Sequence, residues 1–466
     1  MNKLLPPIAV LLFFTGCVVG PNYKAPDTNV SQNYSESDNT DFSTAKPELN
    51  WWNSFDDPIL SRLIDEAVKK NHDILIAEAN IKAARAYQKQ GDYDRYPTVT
   101  SGASIDKQER SKASIGNFPG ISRDQTFFNA ALDATWELDF FGRIKRSNEA
   151  LNADYEAAVA NQHSVTVSVT AEVALTYIEL RGAQHRLDVA QNNANNQRDI
   201  YKLTQVIAAG GTGTELDVVR SSSQLESTLA TLPLLQADID VAIHRLSVLT
   251  GAEPGTLQAE LSKPAQLPVF PTLVNIGQPA DLLRRRPDIQ SAERQLAAAT
   301  ARIGVETADL FPRVTLSGSF GFLGRSLADI GQSDYRTTSF GPFLTWPAFD
   351  LGRVRARIGA ANANAEGLLA NYQKTVLVAL EETENNLVRV AKNRERQAHL
   401  QVAADAAQKA YDLSEVRYHN GVDSFINVLD AERQLLQIQD QLAQSEIDTG
   451  LALVALYKAL GGGWEE

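Results

Sequence analysis

The chain repeats itself at a spacing of 210 residues, and this duplication constrains its fold more than any other feature of the sequence. The matching positions, second copy first, are Tyr411 and Tyr201, Leu413 and Leu203, Gly421 and Gly211, Val428 and Val218, Gln434 and Gln224, Leu435 and Leu225, Leu456 and Leu246, and Gly461 and Gly251. Two copies of one structural unit therefore make up most of the 466 residues.

Each copy contains a turn between two long segments of helical periodicity. Gly211 and Gly421 supply the left-handed residue that ends a helix, and Thr214 and Ser424, three residues later, are suited to cap the next helix. The sequence therefore predicts one helical hairpin per copy, with tip turns at Gly211 to Thr214 and at Gly421 to Ser424. A short turn motif of this kind is also compatible with an ordinary exposed corner of a coiled coil.

Residues 1–16 have the pattern of a secretory signal peptide, because Lys3 precedes an apolar run that is too short to span a membrane. The run ends in Phe-Thr-Gly before Cys17, which resembles the bacterial lipoprotein box and predicts lipidation of Cys17. The alternative is an ordinary secretory signal that ends nearby. Since Cys17 is the single cysteine, no disulfide or cysteine-ligated metal site is expected within one copy. The net charge of −13 argues against a nucleic-acid partner.

Composition and periodicity divide the rest of the chain. An extended polar segment covers 17–57, with Trp51, Trp52 and Phe55 as its expected anchors. The first repeat covers 58–253, a proline-rich connector 254–279, the second repeat 280–460 and a tail 461–466. Alternating residues predict strands at about 96–106, 126–140, 311–323 and 338–349. Stretches without turn residues predict helices over 58–90, 142–209, 214–250, 352–420 and 424–460, the third kinked at Pro233.

The four strands have the length and the alternating pattern of strands that cross an outer membrane. Four strands cannot close a membrane barrel, whose smallest examples have about eight, and an open sheet edge in lipid is very unfavourable. A membrane barrel would therefore have to be shared between chains. A soluble sheet packed on the helices is the alternative that the strand pattern leaves open.

Several motifs together resemble the outer-membrane factor (TolC-like) family, and within it the lipoprotein branch of tripartite multidrug efflux systems. They are the duplicated helix-strand-strand-helix-helix unit, the turn followed by Val428-Leu429-Asp430-Ala431, and the ending Tyr457-Lys458-Ala459-Leu460-Gly461-Gly462-Gly463-Trp464. The resemblance implies an α+β fold, with a long α-helical coiled-coil barrel and four transmembrane β-strands per chain that close a barrel with two other chains.

The same resemblance implies a function and a set of partners. The chain is expected to be the outer-membrane channel of a tripartite efflux pump in a Gram-negative bacterium. It would act as a homotrimer anchored in outer-membrane lipid, and receive drugs or other small molecules from a periplasmic adaptor protein and an inner-membrane efflux transporter. A metal-ion efflux channel and a type I protein secretion channel remain open alternatives, because these systems use the same kind of outer component.

Site residues follow from the resemblance position by position. The periplasmic aperture would involve Asp217, Tyr418, Ile426 and Asp430, and the adaptor would contact the tip turns at Gly211, Thr214, Gly421 and Ser424. Two positions depart from the family pattern, since Asp423 and Asn427 stand where an arginine and a second aspartate are expected. The alternative for Asp430 is an exposed helix residue paired with Arg433 or Lys409.

Two other classes of protein are weaker hypotheses. An enzyme finds little support, because the six histidines have no metal-ligand spacing and the glycine-rich turn at 210–214 lacks the lysine of a phosphate-binding loop. No cofactor, catalytic residue or metal site is therefore expected. A coiled-coil lipoprotein that acts as a spacer without a pore would not need four strands of membrane-crossing length.

Overall fold

The computed structural model of the protein describes residues 18–464, apart from 29, 112, 114–121 and 212. The expected signal peptide and Cys17 lie outside these residues. The helices are α1 Pro58–Lys70, α2 His72–Tyr93, α3 Arg143–Ala209, α4 Glu215–Leu229, α5 Leu232–Leu249, α6 Gln258–Leu261, α7 Pro279–Arg285, α8 Pro287–Ala308, α9 Leu351–His419 and α10 Phe425–Ala459. The strands are β1 Phe42–Ser43, β2 Thr98–Glu109, β3 Asp124–Leu138, β4 Val274–Asn275, β5 Arg313–Gly324 and β6 Arg336–Thr345.

The chain folds into two compact units, each assembled from both repeats. The strand unit comprises the N-terminal residues up to Asp27, Ile81–Ala158 and Ala292–Tyr372. The helical unit comprises Thr28–Asn80, Val159–Ser291 and Gln373–Glu466. The strand unit holds the four long strands, and the helical unit holds both predicted tip turns.

The long strands of the strand unit form one antiparallel sheet in the order β2-β3-β5-β6. The pairing register shows which residues share a face of the sheet, because directly paired residues such as Leu132 and Phe320 lie on the same side. One face carries exposed large apolar side chains from every strand: Val99, Ile105, Leu132, Trp136, Phe320, Phe340 and Leu344. The opposite face is mainly polar, with Leu323 and Phe343 as exposed exceptions. The apolar face is therefore not packed against helices of the chain, as a soluble sheet would require.

The first described residues are bound to the helices of the strand unit. The backbone N–H of Val19 donates to the carbonyl of Phe141 at 3.2 Å, beside the start of α3. Tyr23 donates its hydroxyl to Glu293 Oε1 of α8 at 2.5 Å. The extended N-terminal segment is thus held in place from its first described residues.

Aromatic packing organises the core of the helical unit. Trp51, at 1% exposure, stacks on Tyr457 with ring centroids 5.2 Å apart. Phe55 is fully buried and meets the ring of Phe270 edge-on at 5.4 Å. Trp52 is also buried, so the three expected anchors of the extended segment all lie in the core. Burial of such large apolar surfaces is the main stabilising contribution at this site.

The predicted helix over 58–90 is wrong in one respect, because the structure breaks it at Asn71. The Asn71 backbone is extended, and its Oδ1 accepts the backbone N–H of Asp73 at 2.9 Å, which caps α2. Its Nδ2 donates to the carbonyl of Leu249 at 3.0 Å. A buried amide that satisfies two backbone groups stabilises the break.

The predicted helix over 214–250 is also divided, and Pro233 is not a kink inside it. Helix α4 ends at Leu229 and α5 begins at Leu232, so Pro233 lies in the first turn of α5. A proline is tolerated there because the first helical N–H groups have no partner within the helix. The structure therefore has a break between α4 and α5 in place of the kink that was predicted at Pro233.

Candidate functional site

The first tip turn joins α3 to α4. Gly211 has a φ of 79°, and its N–H donates to the carbonyl of Ala208 at 3.0 Å, which ends α3. Thr214 caps α4, since its hydroxyl accepts the N–H of Asp217 at 3.2 Å and donates to Asp217 Oδ2 at 2.6 Å. Glycine at the left-handed position and a hydroxyl cap are the two features expected of this turn.

The second tip turn, between α9 and α10, also has a left-handed glycine but a different cap. Gly421, with a φ of 70°, donates to Tyr418 O at 2.9 Å, and Val422 N donates to Arg417 O at 2.9 Å. Ser424 occupies the N-cap position, but its side chain makes no capping hydrogen bond. The expected serine cap is therefore wrong, and the neighbouring Asp423 accepts the backbone N–H of Ser424 itself.

Asp423 is the centre of a small polar network in the second turn. Its Oδ1 accepts the backbone N–H of Ser424 at 3.0 Å and also the amide of Asn427, and its Oδ2 accepts Arg417 Nε at 3.1 Å. The hydrogen bonds from Asn427 and Arg417 lower the pKa of the Asp423 carboxyl. The two positions that depart from the family pattern thus interact with each other.

Tyr418 and Asp217, two of the predicted aperture residues, interact electrostatically. The Tyr418 ring is 5.3 Å from the ring of Phe425, which is buried at the start of α10. Partial burial raises the pKa of Tyr418, and the nearby carboxylate of Asp217 raises it further. Phe425 was not among the predicted residues, although an aromatic directly after a cap is a recognisable sequence signal.

The other two predicted aperture residues lie one turn apart on α10. Ile426 is half-buried and Asp430 is exposed, and the spacing of four places them on one helical face. Within the single chain, Arg433 Nη2 lies 2.8 Å from Asp430 Oδ1. The pairing that the alternative interpretation of Asp430 anticipated is therefore present in one chain.

Sequence reasoning also missed Glu432, whose carboxyl lies in the interior of the second hairpin. Val428, Glu432 and Leu435 are spaced four and three residues apart, and all three are buried. This spacing marks the seam of a coiled coil, so an acidic residue within it was a detectable signal. Burial raises the pKa of Glu432 to about 7.

Strands of membrane-crossing length with an exposed apolar face, combined with two duplicated helical hairpins, define an outer-membrane channel protein. The family model described as outer membrane efflux protein matches residues 63–252 and 279–462, which correspond closely to the two repeats. The chain belongs to this family. No helix in the described part of the chain is both long and apolar enough to cross a membrane.

Individual relatives agree with this assignment. The solvent efflux pump outer membrane protein SrpC of Pseudomonas putida is 32% identical over 98% of this chain and 98% of its own length. Nodulation protein T of Rhizobium leguminosarum bv. trifolii is 32% identical, over 97% of this chain and 96% of its own. The solved outer-membrane channel OprN is 42% identical, with a TM-score of 0.90 over 96% of this chain and 100% of that chain.

The family assignment confirms the fold class and the general function expected from the sequence. The protein is an outer-membrane channel of an efflux system. It is not an enzyme, because the family consists of outer-membrane efflux channels.

Proposed function

We propose that three copies of the chain close one membrane barrel, with four strands from each copy. The observation that carries this proposal is the pair of open sheet edges. Strand β2 is exposed along its whole length, and β6 is exposed at nine of its ten residues. Unpaired backbone groups at such edges are very unfavourable in lipid, and pairing β2 with β6 of a neighbouring copy would satisfy them.

Native mass spectrometry of the full protein in mild detergent tests the assembly. We expect a trimer that dissociates only when the sheet unfolds. A monomer that retains its strand content by circular dichroism would contradict the shared barrel, since its sheet edges would then be stable without neighbours.

We propose that the trimer is the outer component of a tripartite pump, together with a periplasmic adaptor and an inner-membrane transporter. The adaptor would contact the tip turns, where Gly211 and Gly421 leave open space around their Cα atoms. Small organic molecules are the expected cargo, since a relative of similar length is named for solvent efflux.

We propose that Asp217, Tyr418, Ile426 and Asp430 form the periplasmic aperture. The proximity of Tyr418 and Asp217, and the shared face of Ile426 and Asp430, support this assignment. Threefold symmetry would turn Asp430 into a ring of carboxylates and Ile426 into an apolar ring one turn away. The carboxylate ring of Asp430 would attract cations and favour their passage, while the apolar ring of Ile426 would narrow the opening.

Conductance in planar bilayers tests the aperture. Asp430→Ala should reduce cation selectivity and weaken block by divalent cations, and the added Ile426→Ala should raise the low resting conductance. Asp440→Ala, at an exposed acidic residue ten positions further along α10, is the matched control and should change neither. If the double variant conducts like the parent protein, the aperture lies elsewhere.

We propose that lipidation of Cys17 assists membrane anchoring. The hydrogen bond from Val19 to Phe141 supports this because it brings Val19, two positions after Cys17 in the sequence, to the end of β3. A closed barrel binds the membrane far more strongly than acyl chains do. Cys17→Ser with a cleavable signal should therefore remain in the outer-membrane fraction.

A further inference from the structure

Glu432 is a carboxylic acid placed in the packed interior of the second helical hairpin. It lies on α10, two turns from the start of the helix, and only 4% of its surface is exposed. The seam residues Val428 and Leu435 on either side are 3% and 6% exposed. The side chain therefore has little contact with water within a single chain.

None of the described groups that act on the Glu432 carboxyl carries a positive charge. The amide of Gln197 in α3, 2% exposed, lowers the pKa of Glu432 and so opposes the larger effect of burial. Neither polar side-chain atom of Gln197 has a hydrogen bond of normal geometry to the described residues. Helix α9 contributes Glu415, a second acid. It also contributes Tyr411, whose pKa is raised by burial and further by the carboxylates of Glu415 and Glu432. His419 Nε2 lies 4.0 Å from Glu415 Oε1.

Helix α4 also packs against α10, and its buried side chains, Ser221 and Leu225, are uncharged. Burial of an acid without a cationic partner favours the protonated form, and the neighbouring Glu415 carboxylate favours it further. The environment of Glu432 therefore binds a proton more tightly than a solvent-exposed glutamate would.

The first repeat has no equivalent of this arrangement. The position 210 residues before Glu432 is Ser222, and the position 210 residues after Gln197 is Ala407. The pair formed by Glu432 and Gln197 is thus a feature of the second hairpin alone and not of the duplicated unit. A structural requirement of the hairpin itself would be expected in both copies.

We propose that Glu432 makes the second hairpin responsive to pH. When its carboxyl is protonated, α10 stays packed against α3 and α9; when the carboxyl ionises, this packing loosens near the turn that carries Tyr418, Ile426 and Asp430. The effect on the channel rests on the proposed aperture, whereas the effect on the hairpin does not.

The direction of the pH dependence follows from the two protonation equilibria. Burial raises the pKa of Glu432 to about 7 in the folded hairpin, against an ordinary value of 4.5. Between these values the folded hairpin binds a proton that the opened hairpin releases. The packing is therefore most stable below pH 4.5, and its stability falls as the pH rises to about 7.

Amide hydrogen exchange of the full protein in detergent measures this opening directly. After correction for intrinsic exchange, amides near residue 432 should open about 30-fold more often at pH 8.5 than at pH 5.5, from the two pKa values. Glu432→Gln keeps the shape without the charge and should remove this dependence. Asp440→Asn, at an exposed position of the same helix, should retain it.

Identical pH curves in the parent protein and in Glu432→Gln would overturn the proposal. Bilayer conductance over the same pH range separates the hairpin from the channel. A pH-dependent conductance that Glu432→Gln removes supports the link to the aperture. A pH-dependent exchange without any change in conductance overturns that link and indicates that the aperture residues are wrongly assigned.

Discussion

Gly182 offers the sharpest test of how tightly the hairpins of the helical unit are packed. It lies in α3, and a Cβ added to it would be 2.4 Å from both Cγ1 and Cδ1 of Ile447 in α10. Ile447 is 5% exposed and belongs to the main hydrophobic core. Both side-chain atoms would have to move, because contacts this short do not occur between non-bonded carbon atoms.

The expected effects of Gly182→Ala on the free energy of unfolding have opposite signs in the parent protein and in the Ile447→Ala variant. Gly182→Ala should cost about 1–3 kcal/mol through overpacking, and the better helix propensity of alanine offsets about 1 kcal/mol of this, so the net loss of stability is up to about 2 kcal/mol. Ile447→Ala alone should cost about 2–5 kcal/mol, because it leaves a cavity. In that background Gly182→Ala fills part of the cavity, so it should stabilise the protein by at least about 1 kcal/mol.

Unfolding in guanidinium, followed by far-UV circular dichroism in detergent, measures the four members of this cycle. The expected result is a lower midpoint for Gly182→Ala and a higher midpoint for the double variant than for Ile447→Ala. Equal shifts in both backgrounds would refute the reasoning, since they would mean that Gly182 and Ile447 do not contact each other.

Two further variants test other parts of the helical unit by the same unfolding measurement. Trp51→Ala should lower the free energy of unfolding by about 3–5 kcal/mol, because it removes the ring that stacks on Tyr457; Leu49→Ala, at a residue 36% exposed, should have a much smaller effect. Asn71→Ala should cost about 1–2 kcal/mol through loss of the α2 cap and of the bond to Leu249. A neutral effect would show that the helix break does not depend on this amide.

Periodicity in the sequence predicts the main elements well, because they depend on patterns that extend over many residues. Alternation from Phe128 to Leu138 marks β3, and the absence of turn residues after Gly142 marks α3. The family assignment confirms the α+β fold class.

Helix breaks and caps were harder to predict because single tertiary contacts decide them. Asn71 interrupts a helical pattern, and one of its bonds goes to Leu249, far away in the sequence. Ser424 has the right chemistry for a cap but makes no capping bond, and the adjacent Asp423 carboxylate binds the Ser424 N–H together with Arg417 and Asn427. Such a choice between adjacent residues depends on geometry that the pattern does not contain.

The seam of the second hairpin gives a similar lesson for the candidate site. Tyr418 and Asp217 are predicted as aperture residues by resemblance, and in the structure the Asp217 carboxylate acts on the Tyr418 hydroxyl. Glu432 is not among the predicted site residues, although it lies in the interior of the second hairpin. A count of spacing from Val428 and Leu435 would have placed it in the seam.

The unequal caps of the two tip turns limit what a partner can recognise. Thr214 closes one turn with a hydroxyl, whereas the other turn is held by the charged contacts of Asp423. In a trimer, six turns would present these two chemistries alternately around a ring. The backbone of the ring would approach sixfold symmetry, but its side chains would have only threefold symmetry. Six identical partner subunits would therefore meet two kinds of contact surface. If the partner bound only one kind of turn, three partner subunits would bind to each trimer.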